Sequence, residues 1–307
     1  MDLLKPDLSP LRVLMRLPRR VVWTADRHLA SRSFTLPPRL GRPYIEALSF
    51  LDPVPKGVDV RHGSVMGRKS RLIVPEGAPE APRVVWVHGG GFAVNSPRVY
   101  TTFVAYLARA LDTSVIMPTY RLAPEHPFPA ALEDSLAAYR EIAAKHGPLV
   151  LAGDSAGGNL AVNIAVALRD AGEEPPAGML LMSPWVDLTR SGESVRANDG
   201  KDAILRASDV ARKASAYAAG ASVADPRVSP LHADLSGLPP TLIQCGSDEL
   251  FVSEGSDLAS RMDAAGTPVE LDVTDGMWHD FQMHAGMLPE AAAAVERMAA
   301  WAKPLFD

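Results

Sequence analysis

The sequence predicts an α/β fold in which a mostly parallel central sheet is flanked by helices and carries a helical cap. Three observations support this prediction. Short apolar runs typical of buried strands alternate with longer helical patterns along most of the chain. Several runs end in polar residues, where open α/β sheets place their chemistry. One run, at residues 149–152, leads through the pentapeptide GDSAG directly into a helical pattern.

The order of the elements indicates βαβ units. A polar, glycine-containing turn between residues 58–60 and 71–74 predicts a β-hairpin. The other predicted strands are 84–88, 114–117, 149–152, 179–182, 241–244 and 269–273. The predicted helices are 100–111, 130–144, 159–168 and 291–301. Because most strands are followed by a helix, we expect parallel pairing with both faces of the sheet covered.

Two segments break the alternation and predict the cap. One is the N-terminal arm, where nine basic residues face three acidic ones within residues 1–42. The arm also carries apolar side chains, so it is expected to fold back over the body and not to bind a membrane. The other segment contains only a loop (189–199) and a helical stretch (202–219). The predicted cap is residues 1–45 and 186–223, and the predicted catalytic core is residues 46–185 and 224–307.

Composition argues against several classes of protein. A net charge of -5 leaves no excess of Lys and Arg to neutralise phosphates, so no nucleic-acid partner is expected. No apolar run approaches the ~20 residues that span a bilayer, so no membrane anchor is expected. Arg12 and Arg16 interrupt the early apolar stretch, and the single Cys245 fits a reducing compartment, which together predict a cytoplasmic protein. No cluster with the spacing of metal ligands is present, so no metal is predicted.

The strongest motif is GDSAG at residues 153–157. A serine on a tight strand-to-helix turn has an exposed oxygen and a strained backbone, which suits a nucleophile. The pentapeptide alone could arise by chance in a glycine-rich turn, but the strand before it and the helix after it favour catalysis. Ser155 is therefore the predicted nucleophile, and Asp154 is predicted to be structural.

A second motif, His88-Gly-Gly-Gly-Phe92, follows the predicted strand 84–88. Consecutive glycines let backbone N–H groups point at a substrate oxygen. The predicted oxyanion hole is Gly89, Gly90, Gly91 and Ala156. A phosphate cradle is disfavoured because the spacing matches neither dinucleotide nor P-loop motifs. A plain flexible loop is the other alternative. His88 is predicted to brace the loop.

A serine hydroxyl needs a base to accept its proton. Among eight histidines, His279 lies just after the last predicted strand and downstream of the serine, which is the chain order Ser, acid, His. The nearest rival, His284, is expected in the following helix. His279 is therefore the predicted base.

The acid should follow an earlier strand, and the segment Gly246-Ser-Asp-Glu249 satisfies this condition. We favour Asp248 over Glu249 because Asp248 directly follows the turn. Asp275 and Asp280 are too close in sequence to His279 to approach its ring from the required side. The acid would hold the imidazole tautomer and stabilise the imidazolium.

These motifs together resemble the hormone-sensitive-lipase-like branch of the α/β-hydrolase fold, the bacterial family IV carboxylesterases of the GDSAG subgroup. The matching segments are HGGGF (88–92), YRLAPEHP (120–127), GDSAGG (153–158), DPRVSP (225–230), LPPTLIQCGSDEL (238–250) and GMWHDF (276–281). The resemblance implies a helical cap, a preference for short acyl chains, no cofactor, and frequent homodimers. Asp280 stands where many relatives have glycine, so it either raises the pKa of His279 or points away.

The predicted function is a serine carboxylic ester hydrolase that forms an acyl-enzyme. Phe92, Trp185 and Trp278 are candidates for the walls of the substrate pocket, with ordinary core packing as an equal alternative. The same triad would also serve a lactone, carbamate or N-acyl hydrolase. A small-molecule receptor on this scaffold is a remote alternative, because relatives of that kind have lost the catalytic histidine and His279 is present.

Overall fold

A computed structural model describes residues 17–306 and contains one eight-stranded sheet. The strands are β1 (Val58–Val65), β2 (Arg68–Pro75), β3 (Pro82–Val87), β4 (Ser114–Pro118), β5 (Val150–Asp154), β6 (Gly178–Met182), β7 (Thr241–Gly246) and β8 (Val269–Thr274). Their order is β1-β2-β4-β3-β5-β6-β7-β8. Only β1–β2 and β2–β4 pair antiparallel; the other pairs are parallel. The predicted hairpin and the mostly parallel sheet are therefore confirmed.

Ten α-helices are described within residues 17–306. They are α1 (Arg19–Ala25), α2 (Arg32–Thr35), α3 (Pro38–Leu48), α4 (Thr101–Leu111), α5 (Ala130–His146), α6 (Ser155–Asp170), α7 (Ser194–Ala197), α8 (Ala207–Ala218), α9 (Val252–Ala264) and α10 (Pro289–Ala302). The starts of two helices differ from prediction by four residues or more. α6 begins four residues early, at Ser155 itself. α8 begins only at Ala207, because Asp202 Oδ1 accepts the N–H groups of Ile204 and Leu205 and holds that segment as a turn.

The central strands are buried on both faces, as covered parallel strands are expected to be. Side chains alternate along a strand, so neighbours such as Val150 and Leu151 enter different cores. The core that contains Leu151 is formed mainly with α5, α6 and α9. The core that contains Val150 is formed with α4 and α10. The carboxyl ends of β3, β5 and β7 consequently meet at one edge of a sheet that both cores hold in place.

The N-terminal helices lie against the segment between β6 and β7. Trp23 Nε1 donates to Lys201 O at 3.0 Å, and Thr35 Oγ1 donates to Asp209 Oδ2 at 3.3 Å. Val22 of α1 belongs to a third apolar cluster, which includes Trp278 and α10 side chains. Because these contacts join segments far apart in sequence, the two predicted cap segments lie together over the carboxyl edge.

Part of the N-terminal prediction falls on residues 1–16, which lie outside the described residues. From residue 17 to residue 306, no helix is both long enough and apolar enough to cross a membrane.

Candidate active site

Ser155 occupies the junction between β5 and α6. Its φ of 50° is in the left-handed region, which residues other than glycine rarely adopt. The turn requires close backbone approach, because a Cβ on Gly157 would lie 2.0 Å from Val87 O at the end of β3. Ser155 is largely buried but lines a narrow cavity. The predicted strand–serine–helix turn is therefore present, and its backbone has the strain expected at a turn of this kind.

Asp154 connects this turn to the glycine loop. Its Oδ1 accepts the Gly89 N–H at 2.9 Å and Trp86 Nε1 at 3.2 Å, and its Oδ2 accepts the Tyr100 hydroxyl at 2.6 Å. The structural role predicted for Asp154 is confirmed. The same contacts correct the prediction for Gly89, since its N–H already has an acceptor and is not free to hold an oxyanion.

The remaining predicted donors are Gly90, Gly91 and Ala156. Gly91 has φ of 61° and lines the cavity beside Ser155, and a Cβ there would lie 2.4 Å from Lys213 Cδ. Ala156 is the second residue of α6, where backbone N–H groups have no acceptor within the helix and the helix dipole favours negative charge. Of the three, Gly91 lines the cavity with Ser155, and Ala156 directly follows Ser155.

His88 contacts the glycine loop and packs against Tyr120. Its Nδ1 lies 2.8 Å from Gly89 O, and its ring stacks on Tyr120 with centroids 4.4 Å apart. Burial lowers the pKa of His88 to about 4, so the ring is neutral at ordinary pH. The arrangement agrees with a bracing role.

His279 lies between β8 and α10 and is 1% exposed. Its ring meets the ring of Phe251 edge-on, with centroids 5.2 Å apart, and Phe251 lines the cavity that contains Ser155. A charge on His279 also lowers the pKa of Asp154, the residue before Ser155, although burial raises that pKa overall. His279 therefore packs against a residue of the cavity that Ser155 lines.

Asp248 and Glu249 have different surroundings although they are adjacent in sequence. Asp248 is half-buried, with the Ser247 hydroxyl 3.4 Å from its Oδ1. Glu249 is fully buried, and its Oε2 accepts Ser183 Oγ at 2.7 Å and the Gly246 N–H at 2.8 Å. Its Oε1 has no hydrogen-bond partner within residues 17–306. An unpaired buried carboxylate oxygen is costly unless a donor approaches it, which makes Glu249 the better acceptor for an imidazole N–H.

The charges around His279 also distinguish Glu249 from Asp248. Burial alone would lower the pKa of His279, but the negative charges of Asp280, Glu249 and Asp202 outweigh it and raise the pKa to about 9. Asp248 is not among the principal charges that act on the ring. These surroundings favour Glu249 over the predicted Asp248 as the partner of His279, because Glu249 is the buried carboxylate whose charge acts on the ring.

Asp280 approaches the imidazole directly. Its Oδ2 lies 3.1 Å from His279 Nε2, an ion-pair distance whose angles fall short of a hydrogen bond. Of the two alternatives for this residue, the structure supports the first, in which Asp280 raises the pKa of His279. The left-handed backbone of Asp280, with φ of 55°, explains why a glycine can also stand at this position.

The cavity at Ser155 has mostly apolar walls. Its lining residues are Phe34, Gly91, Ser155, Trp185, Leu205, Val210, Lys213 and Phe251. Trp185 is placed as predicted, with its ring stacked on Phe251 at a centroid distance of 5.5 Å. Phe92 lies behind this wall, stacked on Tyr217 at 3.7 Å and in contact with Trp185. Phe92 therefore shapes the pocket indirectly.

The prediction for Trp278 is corrected. Its Nε1 donates to Asp26 Oδ2 at 2.8 Å, and the same oxygen lies 2.7 Å from His284 Nε2. Its ring packs in the cluster that contains Val22. Trp278 and His284 thus anchor the N-terminal helices to the loop of His279, and neither lines the cavity at Ser155.

Sequence reasoning missed several lining residues, most of them in the two predicted cap segments. Lys213 is the clearest case. On α8 it falls between Val210 and Tyr217 on the buried stripe, at the i, i+3, i+7 spacing of an amphipathic helix. A lysine at an inward position of such a stripe is the signal that could have found it. No comparable signal marks Phe34 or Phe251.

Comparison with known proteins identifies the family of this chain. The profile of the α/β-hydrolase fold family matches residues 84–283. The chain is 40% identical over 216 residues to an acetyl-hydrolase of Streptomyces hygroscopicus, covering 69% of this chain and 72% of the relative. It is 34% identical over 274 residues to an esterase of Acinetobacter venetianus, covering 88% of this chain and 90% of the relative.

Comparison with solved structures identifies the family of the chain more specifically. A crystal structure of an esterase from the bacterial hormone-sensitive lipase family superposes with a TM-score of 0.88 at 33% identity, covering 95% of this chain and all of that one (100%). This likeness spans both the sheet and the cap segments. The chain therefore belongs to the α/β-hydrolase family and, within it, to the hormone-sensitive-lipase-like carboxylesterases.

Proposed function

We propose that this carboxylic ester hydrolase cleaves short-chain acyl esters by two-step acyl transfer, with Ser155 as nucleophile, His279 as general base and Glu249 as the orienting acid. The observation that carries the proposal is the strained Ser155, which lines the same narrow cavity as Gly91 and as Phe251, the residue whose ring packs edge-on against the buried His279. A serine in this position needs only proton removal and oxyanion stabilisation to attack an ester.

In the first step, Ser155 Oγ bonds to the ester carbonyl carbon while its proton passes to His279. The carbonyl oxygen becomes an oxyanion held by the N–H groups of Gly90, Gly91 and Ala156. The C–O bond to the alcohol then breaks, and His279 returns the proton to the departing oxygen. Water attacks the acyl-enzyme in the same way, with His279 again accepting and returning a proton.

Glu249 replaces Asp248 in this proposal. Its Oε2 is held by Ser183 and Gly246, which leaves Oε1 to accept a hydrogen bond from the imidazole ring. Its negative charge also favours the imidazolium that forms when Ser155 loses its proton. Burial raises the pKa of Glu249 to about 7, while the charge of His279 lowers it, so the attraction between the two charges favours the charged form of each residue.

Two observations support a short acyl chain. The cavity at Ser155 is narrow, and the stacked rings of Trp185 and Phe251 form one wall of it. A relative with 40% identity is an acetyl-hydrolase. We further propose that residues 17–45 and 186–223 act as the cap of this pocket, because Phe34, Leu205, Val210 and Lys213 line it.

The proposal is tested with p-nitrophenyl esters from acetate to decanoate. We expect the wild-type protein to hydrolyse acetate and butyrate fastest, with kcat/KM falling as the chain outgrows the cavity. p-Nitroacetanilide and a γ-lactone of matched size are the comparison substrates. No hydrolysis across the ester series would refute the proposal, and faster cleavage of the anilide or lactone would favour the alternative bond.

The pH profile should depend on Asp280. Catalysis requires neutral His279, whose pKa is raised to about 9. We therefore expect kcat/KM to increase with pH, with the midpoint of the increase near that pKa. Asp280→Asn removes the nearest negative charge and destabilises the imidazolium. The midpoint of the increase should therefore move to lower pH, measured with p-nitrophenyl butyrate between pH 6 and pH 10.

Asp275→Asn is the matched control. Asp275 belongs to the same loop but is exposed, and its carboxylate lies near Ser247. Its replacement should leave the midpoint unchanged. If Asp280→Asn and Asp275→Asn share the wild-type midpoint, Asp280 does not set the pKa of His279.

A further inference from the structure

Lys213 is a buried cation in an otherwise apolar part of the cavity. It belongs to α8 of the cap and is only 7% exposed. It lines the cavity together with Ser155, and its Cδ lies next to Gly91 of the oxyanion loop. Leu205 and Val210 lie on the same wall. A lysine is almost never buried in such a place unless its charge has a partner.

The protein supplies no anionic partner for Lys213 within residues 17–306. Asp209, one turn earlier on α8, is the nearest candidate by sequence. Its Oδ1 is 2.6 Å from Arg212 Nη2, and its Oδ2 accepts Thr35 Oγ1 at 3.3 Å. The described contact of the ammonium group is with the ring of Phe34, 5.0 Å from Nζ to the centroid. That ring also lines the cavity and has no negative charge to offer.

The charges around Lys213 agree with an ammonium group that has no anionic partner among the described residues. Burial lowers the pKa of Lys213 to about 8, the positive charges of Arg212 and Arg42 lower it further, and the charge of Asp209 opposes them. The ammonium form still predominates at neutral pH. An anion that entered the cavity would restore the interaction that burial removes.

We propose that Lys213 binds a negatively charged group of the substrate, so that the preferred substrates are esters carrying a carboxylate a few bonds from the scissile carbonyl. This inference rests on the proposed function, because it assigns the substrate class of the same pocket. The position of Lys213 beside Gly91 sets the spacing, since one end of the ligand lies at Ser155 and the other at the ammonium group. The carboxylate can belong to the acyl part or to the alcohol part of the ester.

The experiment compares matched pairs of esters at pH 7. Monoethyl succinate against ethyl butanoate tests an anionic acyl part, and 4-acetoxybutanoate against butyl acetate tests an anionic alcohol part. We expect the wild-type protein to hydrolyse the anionic member of one pair with a kcat/KM about tenfold or more above its neutral partner, the range expected for a charged hydrogen bond. The pair that shows this preference identifies the side of the ester that enters the cavity.

Lys213→Met retains the length of the side chain and removes its charge. It should abolish the preference for the anionic ester, so that the two members of the pair are hydrolysed with similar kcat/KM. Lys213→Arg should retain the preference in part. Lys201→Met is the matched control, since Lys201 is an exposed cap lysine whose Nζ contacts Asn198 Oδ1 at 3.1 Å, outside the cavity.

The outcomes separate the two proposals. If the wild-type protein hydrolyses neutral esters but favours the neutral member of both pairs, the role of Lys213 is refuted and the proposed function stands. If Lys213→Met slows both members of a pair equally, Lys213 serves the common chemistry or the fold and not anion recognition, which also overturns the inference. If no ester is hydrolysed, the proposed function itself fails. The wild-type comparison decides the question even if a variant does not fold.

Discussion

Replacement of Ser155 by alanine is expected to lower kcat/KM for p-nitrophenyl butyrate by about a million-fold, the scale seen when a triad nucleophile is removed from a serine hydrolase. The substitution deletes the atom that bonds to the carbonyl carbon. It leaves the donor groups of Gly90, Gly91 and Ala156 in place, so substrate binding should persist with little turnover. Single-turnover and steady-state assays on purified protein would both measure the loss.

Ser135→Ala is the matched control for this experiment. Ser135 is also a buried serine, but it lies on α5, away from the cavity, and its Oγ has no hydrogen-bond partner within the described chain. Its replacement should leave kcat/KM unchanged. Retention of more than a few per cent of wild-type activity by Ser155→Ala would show that the nucleophile is misassigned.

Replacement of Glu249 by glutamine is expected to lower kcat by about ten-thousand-fold, the cost of losing the charge and tautomer control of a triad acid. The amide oxygen of glutamine can still accept Ser183 Oγ and the Gly246 N–H, so the fold should survive. The amide nitrogen, in the place of the second carboxylate oxygen, would then present an N–H₂ group toward His279. The neutral amide cannot stabilise the imidazolium, and the ring is no longer held in the required tautomer.

Asp248→Asn serves as the comparison, because it makes the same chemical change one residue earlier. Asp248 is half-buried and its side chain contacts Ser247, so we expect activity within about threefold of wild type, as for a surface substitution. Thermal unfolding of both variants would confirm that each is folded. A large loss in Asp248→Asn with little change in Glu249→Gln would restore Asp248 as the acid.

Local sequence determines much of this protein. Strand and helix periods predict the alternation of elements, and GDSAG between a strand and a helix predicts the turn at Ser155. The chain order then indicates His279. Most of these features are readable because they depend on residues close together in sequence, through side-chain periodicity and the backbone conformation at one turn.

Tertiary structure decides which neighbouring groups face the reaction. Asp248 and Glu249 both follow β7, and no local rule states which one the turn directs toward His279. Gly89 is one of three equivalent glycines in the sequence, yet its N–H is occupied by Asp154 from another strand. A pentapeptide or a glycine run cannot report such contacts, because the partner lies far away along the chain.

Contacts of the two predicted cap segments also could not be read from local sequence. Trp278 is adjacent to His279 in sequence, but its Nε1 donates to Asp26 Oδ2 and its ring packs with the N-terminal helices. Lys213 is far from every catalytic motif, but α8 carries it into the cavity beside Ser155. The sequence by itself therefore determined the fold and the turn that carries Ser155, and it indicated His279 as the base. Only the packing of distant segments favoured Glu249 over Asp248, occupied the N–H of Gly89 and brought Lys213 into the cavity, because these depend on side-chain directions that long-range contacts impose.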